Sequence, residues 1–310
     1  MTYTIIGRDP SSGEMGIATQ SHAFAVGSSV PWSEAGIGVI ASQSVGEPLY
    51  GELGLDLLRG GLAADEALVA LRSVDPHPER RQVAMLDADG GIAVDTGEGC
   101  VEAAGHESGE DWCVLANLVA SSRVWTSMAE AFTSTGGALG GRLVAALQAA
   151  EEEGGDLRGA RSAVVSVVRS TRTGRPWQDR VLDLRVDDHR DPVREVARLM
   201  EVSDRHHRGV RAFELALDGE AEQALAHLRE LGEPDREGGD LVLWHALALA
   251  MAGREEEAAG VLADAAEADP DVLEVFARYG PADLPTDTEA TQRIVGRAEA
   301  RLSDAGGDQD

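Results

Sequence analysis

The 310-residue sequence contains no lysine, so all 27 of its basic residues other than histidine are arginine. Any mechanism that needs a lysine amine is thereby excluded. Cysteine is nearly as scarce. Cys100 and Cys113 stand alone, lack metal-ligand spacing, and read as thiols rather than a disulfide in a reducing compartment. No stretch reaches the apolar length that spans a bilayer, no charged n-region followed by an apolar h-region opens the chain, and no lipidation signal is present. The expectation is a cytoplasmic protein without a membrane partner. Positive charge is also short: 27 basic against 55 acidic residues give a net charge of −28. This argues against nucleic acid as a partner, because phosphate neutralisation needs a basic surface, and it suggests high solubility.

What is present begins with a hydrophobic fraction of 43%, ordinary for a folded protein, and enough length for one large domain and a small one. The first 48 residues look like the organising segment. Tyr3 to Ile6 alternate as a strand, Asp9-Pro10-Ser11-Ser12-Gly13 is a turn, and Gly16–Ser21 and Gly36–Gln43 read as further strands. The third is expected to return beside the first, making the N-terminal strand a central one. Methionine is normally trimmed before a residue as small as threonine, which would leave Thr2 with a free α-amino group. Such a residue carries its nucleophile and its base together: the hydroxyl attacks, and an amine of ordinary pKa roughly 7.7–8.0 takes the proton. Partial burial would lower that pKa and favour the basic form. Many chains also begin Met-Thr for no catalytic reason.

Helical spacing then predicts Leu49–Arg59, with Leu49, Leu53, Leu57 and Leu58 on one face, and Ala64–Ser73. Asp87-Ala88-Asp89-Gly90-Gly91 joins the strands Gln82–Leu86 and Ile92–Asp95 as a hairpin. A strand over Trp112–Val119, helices over Val124–Phe132 and Leu139–Glu152, strands over Ser162–Val168 and Arg180–Val186, and a helix from Pro192 to about Glu201 follow. Grouped helices and antiparallel hairpins predict an α+β layered domain rather than a doubly wound sheet. From about Gly209 the chain turns helical. Superposing FELALDGEAEQALAHLRELGEP on LALAMAGREEEAAGVLADAAEADP aligns Gly219 with Gly253 and Leu228 with Leu262, an offset of 34, the tetratricopeptide period. Two such units fall short of a stable solenoid. Leu225, Leu228, Leu243, Leu247 and Leu262 are therefore expected to need a cover, from the first domain, from a second subunit, or from the tail itself with Leu273–Tyr279 as a cap; docking on the first domain or a second subunit is the expectation preferred. The acidic end, from Asp304, is expected to fray.

Seven segments in this order, RDPSSGEMGIA, QSHAFAVGSSVPWSEAGIGVIASQS, YGELGLDLLRGG, QVAMLDADG, VLANLVA, RGARSAVVSVV and DLRVDDHRDPV, resemble the bacterial family known as domain of unknown function 1028. The resemblance covers about residues 1–205 and leaves 206–310 as a separate helical domain. That family is placed with the N-terminal-nucleophile (Ntn) hydrolases, four-layer αββα proteins. The resemblance thus implies hydrolysis of a small amide or acyl-amino compound through an acyl-enzyme on Thr2, without cofactor or metal. Proteasome-like Ntn enzymes place a lysine near the nucleophile. Arg8 is the possible substitute here.

Asn117, at the end of an apolar strand, could donate to an oxyanion or simply close the strand end. Gln20, His22 and Gln43 are candidates for supporting or substrate-binding roles, His22 equally as a structural loop residue. Arg161 could hold a carboxylate bidentately, although a surface ion pair explains it as well. Ser21 and His22, neighbours on a strand, point to opposite faces and do not make a serine triad. Asp187-Asp188-His189 reads as a strand-end turn, and His206-His207 as part of a linker. A rival reading from another class is a catalytically silent Ntn-fold protein whose helical tail is an interaction module. Either reading allows a homo-oligomer.

Overall fold

The computed structural model describes residues 2–232, 239–282 and 286–307, and the chain divides into two compact units at Met200/Glu201. The first unit carries ten strands: β1 (Thr2–Arg8), β2 (Met15–Ser21), β3 (Pro31–Glu34), β4 (Gly38–Ser44), β5 (Arg81–Asp87), β6 (Ile92–Thr96), β7 (Gly105–Gly109), β8 (Trp112–Asn117), β9 (Ser162–Val168) and β10 (Arg180–Val186). Its helices are α1 (Leu49–Arg59), α2 (Ala64–Val74), α3 (Arg123–Ser134), α4 (Leu139–Glu152) and the short α5 (Pro176–Asp179); α6 (Pro192–Leu217) begins here.

The strands form two wholly antiparallel sheets. Sheet A has six strands in the order β10-β9-β2-β1-β8-β7, and sheet B is the meander β3-β4-β5-β6. β1 is central, as its sequence suggested, but its neighbours are β2 and β8. The strand expected to return beside it, β4, belongs to sheet B, because β3 intervenes and pairs with β4 from Pro31 to Glu34.

Alternation along β1 divides its side chains between two cores. Tyr3 and Ile5 pack with Met128 and Phe132 of α3 and Leu143 and Leu147 of α4. Ile6 packs with Ile17, Leu115, Val39, Ala41, Ala84 and Leu86, so this cluster joins the two sheets. Ile40, Val83 and Met85, on the other face of sheet B, pack with Tyr50, Leu55 and Leu58 of α1 and Leu68 and Leu71 of α2. The inward face of α1 is therefore not the leucine row that spacing suggested. Leu49 and Leu53 are exposed, and Gly51 and Gly54 are buried. A Cβ on Gly51 would lie 2.1 Å from the Trp32 ring and one on Gly54 2.5 Å from Ile40. The two glycines thus allow α1 to lie closer to the sheet than any side chain would.

The second unit is helical: the remainder of α6, then α7 (Ala221–Glu230), α8 (Asp240–Met251), α9 (Glu255–Ala266), α10 (Asp271–Ala277) and α11 (Thr288–Gly307). The 34-residue offset recurs in the boundaries. α6 ends at Leu217 and α8 at Met251 (251 − 217 = 34); α7 starts at Ala221 and α9 at Glu255 (255 − 221 = 34). Gly219 and Gly253 fill equivalent turns with φ of 83° and 74°, the left-handed region that glycine enters without a Cβ penalty. Of the covers expected for Leu225, Leu228, Leu243, Leu247 and Leu262, the one observed is the tail's own, with Leu273, Phe276 and Tyr279 in the cap, and the preferred outside surface is not needed to bury them. All five lie in one cluster made of this unit's own residues, with Phe276 of α10 and Ile294 and Ala298 of α11 completing it. His206 and His207 lie inside α6 rather than in a linker. Of the acidic end expected to fray, residues 308–310 lie outside the described residues.

Candidate functional site

In the antiparallel register, Thr2 stands directly opposite Ser21 on β2 and Asn117 on β8. Opposed residues project to the same face with Cβ atoms about 4.5–5.5 Å apart, so the three side chains meet on the side of Ile6 and Leu115, facing sheet B. Thr2 is buried, and its Oγ1 donates to Ser21 Oγ at 3.2 Å. The Ser21 hydroxyl oxygen also accepts the Ala23 backbone N–H at 3.0 Å, which fixes its position. Thr2 lines a cavity of about 280 Å³ together with Ser21, Ser29, Ser42, Gln43 and Arg158.

Behind this cavity two glutamines tie the sheets together. Gln43 of β4 and Gln82 of β5 are register partners. Gln43 Nε2 donates to Gln82 Oε1 at 2.8 Å, to the Thr2 carbonyl at 3.2 Å and to the Leu115 carbonyl at 3.4 Å. Its Oε1 accepts the Thr4 hydroxyl at 2.5 Å. Gln82 Nε2 donates to the Ala116 carbonyl at 2.9 Å, to Thr96 Oγ1 at 2.9 Å and to the Gly105 carbonyl at 3.1 Å. Gln82 Oε1 also accepts Asn117 Nδ2 at 3.0 Å. These amides satisfy backbone carbonyls where an apolar core would strand them. Asn117 thus sits beside Thr2 as its sequence position suggested, with one amide N–H committed to Gln82. Its Oδ1 has no hydrogen-bond partner among the described residues.

The loop after α4 brings in a residue that sequence reading passed over. Asp156, whose side chain is 0% exposed, accepts the backbone N–H of Arg158 at 2.8 Å and that of His22 at 3.1 Å. It also accepts Arg158 Nη2 at 3.2 Å and Nε at 3.4 Å. His22 Nδ1 lies 3.1 Å from the Gly159 carbonyl. His22 therefore anchors the loop that carries Arg158 and does not line the cavity. No motif marks Arg158; the signal is its place in a glycine-flanked turn around a lone buried aspartate.

The other candidates fall elsewhere. Arg8 is at the far end of β1, six residues and about 20 Å of extended chain from Thr2, where its Nη1 bonds Asp111 Oδ1 at 3.0 Å. It does not lie beside Thr2, where a substitute for the lysine would stand. Gln20 opposes Tyr3 and so faces the helices, buried with its carboxamide unpartnered among the described residues. On that face the Tyr3 hydroxyl donates to Glu151 Oε1. Burial, reinforced by the Glu151 carboxylate, holds the Tyr3 phenol well above its ordinary pKa, and burial raises that of Glu151. Arg161 is half exposed, with Nε bonded to Asp188 Oδ1 at 2.8 Å, the surface ion pair. Met1, on whose removal the nucleophile reading turns, lies outside the described residues.

A larger cavity of about 740 Å³, lined by Glu34, Arg172, Trp177, Asp179 and Arg180 among others, sits at the opposite end of β9. It contains none of these candidates, and its arginines pair with Glu34 and Asp183.

Compared with known proteins, residues 2–196 match the family model described as "Family of unknown function (DUF1028)". Among solved structures the chain is similar to the crystal structure of a Silicibacter pomeroyi protein carrying the same family model. The two are 28% identical with a TM-score of 0.59, over 65% of this chain and 88% of that one. No curated protein matches the chain.

Proposed function

The chain belongs to the family of unknown function DUF1028, and from the surroundings of Thr2 we propose that it is a hydrolase of the N-terminal-nucleophile type acting on a small amide or acyl-amino compound. The observation that carries this reading is the placement of Thr2. It is the first residue of a central strand, held by Ser21 Oγ at 3.2 Å, on the wall of a cavity. Helices packed on the outer faces of two apposed sheets fit the four-layer αββα arrangement of such enzymes. The repeat of helix boundaries in the second unit fits a tetratricopeptide-like module.

In this mechanism Met1 has been removed. The Thr2 α-amine takes the hydroxyl proton as Oγ1 attacks the substrate carbonyl, and the ammonium then gives that proton to the departing amine. An ester on Thr2 remains, and water, deprotonated by the same amine, cleaves it to the acid and restores the hydroxyl. Ser21 orients Oγ1. Asn117 keeps one amide N–H beyond its bond to Gln82, and would donate it to the oxyanion.

Intact mass and two substitutions test the proposal. The mature protein should lack methionine. Thr2→Ala should abolish amide turnover while leaving the fold intact, and Thr2→Ser, which keeps hydroxyl and amine, should retain part of it. Retained Met1 in protein from the native host, or full turnover by Thr2→Ala, rejects the mechanism.

A further inference from the structure

The wall of the Thr2 cavity is largely polar, with Thr2, Ser21, Ser29, Ser42 and Gln43 on it. The surface beside it is apolar. Phe24 follows the lining residue Ala23, Val45 stands between Ser44 and Gly46, Leu49 follows Pro48, and Leu157 precedes Arg158. Each of these four apolar side chains is half or more exposed to solvent. Leu53, one turn further along α1 and so on the same face as Leu49, is exposed as well. Single exposed apolar residues are ordinary on a protein surface, whereas several beside one opening mark a place that meets apolar material. The segments that carry them are pinned. Arg161, bonded to Asp188 at 2.8 Å, lies over the Phe24 ring with its guanidinium carbon 5.5 Å from the centroid, within cation–π range. The Val45 carbonyl accepts Arg81 Nη1 at 2.6 Å, and Leu49 N–H donates to Glu47 Oε1 at 3.3 Å. Asp156 fixes the turn of Leu157 by accepting the backbone N–H groups of His22 and Arg158. These contacts hold an apolar rim in the open.

We infer that the substrate is an amphiphilic amide. Its amide and a small polar head enter the cavity, and an apolar chain of several carbons lies outside, across Phe24, Val45 and Leu157 and along Leu49 and Leu53. The volume of about 280 Å³ is just under the range usual for a whole ligand, roughly 300–1,000 Å³, and the hydroxyl-rich wall suits the head rather than the chain. Burying the chain against the rim removes apolar surface of both partners from water, which is the source of the affinity. Arg161 is a positioning residue: it acts on the chain only through the Phe24 ring. This inference rests on the hydrolase reading for its reaction but not for its recognition.

Binding to full-length Thr2→Ala protein, measured by isothermal titration, separates the two. The probes are two uncharged series. N-acylglycinamides from acetyl to octanoyl carry the chain on the carbonyl side, and N-alkylacetamides from methyl to octyl carry it on the nitrogen side. Affinity in one of them should rise by roughly two- to fourfold for each added methylene, the range from half to full burial of that group, and the series that responds identifies the side. Phe24→Ser and Leu49→Ser, made in the same background, should each flatten the rise. Val69→Ser, which removes a similarly exposed side chain from α2 beside no lining residue, should leave it unchanged. Thermal melting verifies that each variant folds; should a serine variant not fold, the chain-length dependence of the Thr2→Ala protein decides. Affinity independent of chain length in both series, no measurable binding, or a rise that persists in both serine variants overturns the inference. So does a wild-type dimer that Phe24→Ser or Leu49→Ser dissociates, because a second copy is then what covers the rim. Failure of the wild type to cleave a member that binds would remove the hydrolase reading and leave the chain-length preference standing, whereas cleavage of the shortest members with no such preference would do the reverse.

Discussion

Replacing Gln82 by leucine would remove the group that links the most partners behind the candidate site. Gln82 is 0% exposed, and its side chain bonds Gln43, Thr96, Asn117 and the carbonyls of Gly105 and Ala116. A leucine fills similar volume but makes none of these bonds. Asn117 Nδ2 would lose its acceptor, and its Oδ1 already has none, so the whole carboxamide would be buried unbonded. Gln43 Nε2 would lose the shortest of its three acceptors. At about 1–3 kcal/mol for each stranded polar group, the cost comes to about 2–5 kcal/mol, a large share of the 5–15 kcal/mol typical of a domain. Hydrogen exchange followed by mass spectrometry reads this segment by segment, which suits a chain of two units better than a single melting curve. Exchange in β1, β5 and β8 should accelerate by roughly 30-fold to several thousand-fold, at 1.4 kcal/mol per tenfold, while α8 and α9 stay unchanged. Acceleration of less than about threefold in β1 and β8 would refute the claim that the glutamine bridge holds the sheets together here.

Two further outcomes concern stability alone. Hydrogen bonds from Arg81, together with those from His77 N–H and the Tyr50 hydroxyl, hold the Asp75 carboxyl at a pKa of about 2, below its ordinary value. Its contribution, roughly 2 kcal/mol, is present above about pH 4 and is lost as pH falls toward 2. Urea midpoints of wild type and Asp75→Asn should therefore differ at pH 6 and converge near pH 2. Gly51→Ala places a Cβ 2.1 Å from the Trp32 ring; overpacking of about 1–3 kcal/mol should outweigh the gain in helix propensity and lower the melting temperature.

Several elements could be read directly from the sequence because their signals are local. α1, α4, β9 and β10 begin and end where periodicity and breakers put them. β3 and β7 could not be read. Each is an edge strand, one opening with proline and the other the polar run Gly105–Gly109, so neither has an alternating apolar pattern. α6 runs through Gly209, where a sequence boundary looked natural. A Cβ there would lie 2.2 Å from Leu241, so this glycine marks a close helix approach instead of a stop. At the site, Thr2, Asn117 and Gln43 come together as expected. Arg8 does not, since closeness along a strand is distance in space. Ser21 reads in the sequence only as a neighbour of His22, and Gln82 and Arg158 go unmarked, because their relation to Thr2 exists only through register and loop closure, which no spacing rule encodes.

That separation has a consequence for how the molecule is made. Sheet B is drawn from one continuous stretch, residues 31–96, and its meander can form from near neighbours as it leaves the ribosome. Sheet A cannot: β1 meets β8 only by closing a loop of 115 residues (117 − 2) between Thr2 and Asn117. For a chain that long the entropic cost is about 4 kcal/mol on a (3/2)RT ln n scale, and non-local pairings of this kind form late. Thr2 therefore emerges well before the strand and the turn that enclose it, and is among the last residues of the sheet to be surrounded. β8 must emerge to complete the sheet beside it, and the 156–158 turn some forty residues later to furnish the cavity wall. Chains halted before that turn would carry the threonine without the site.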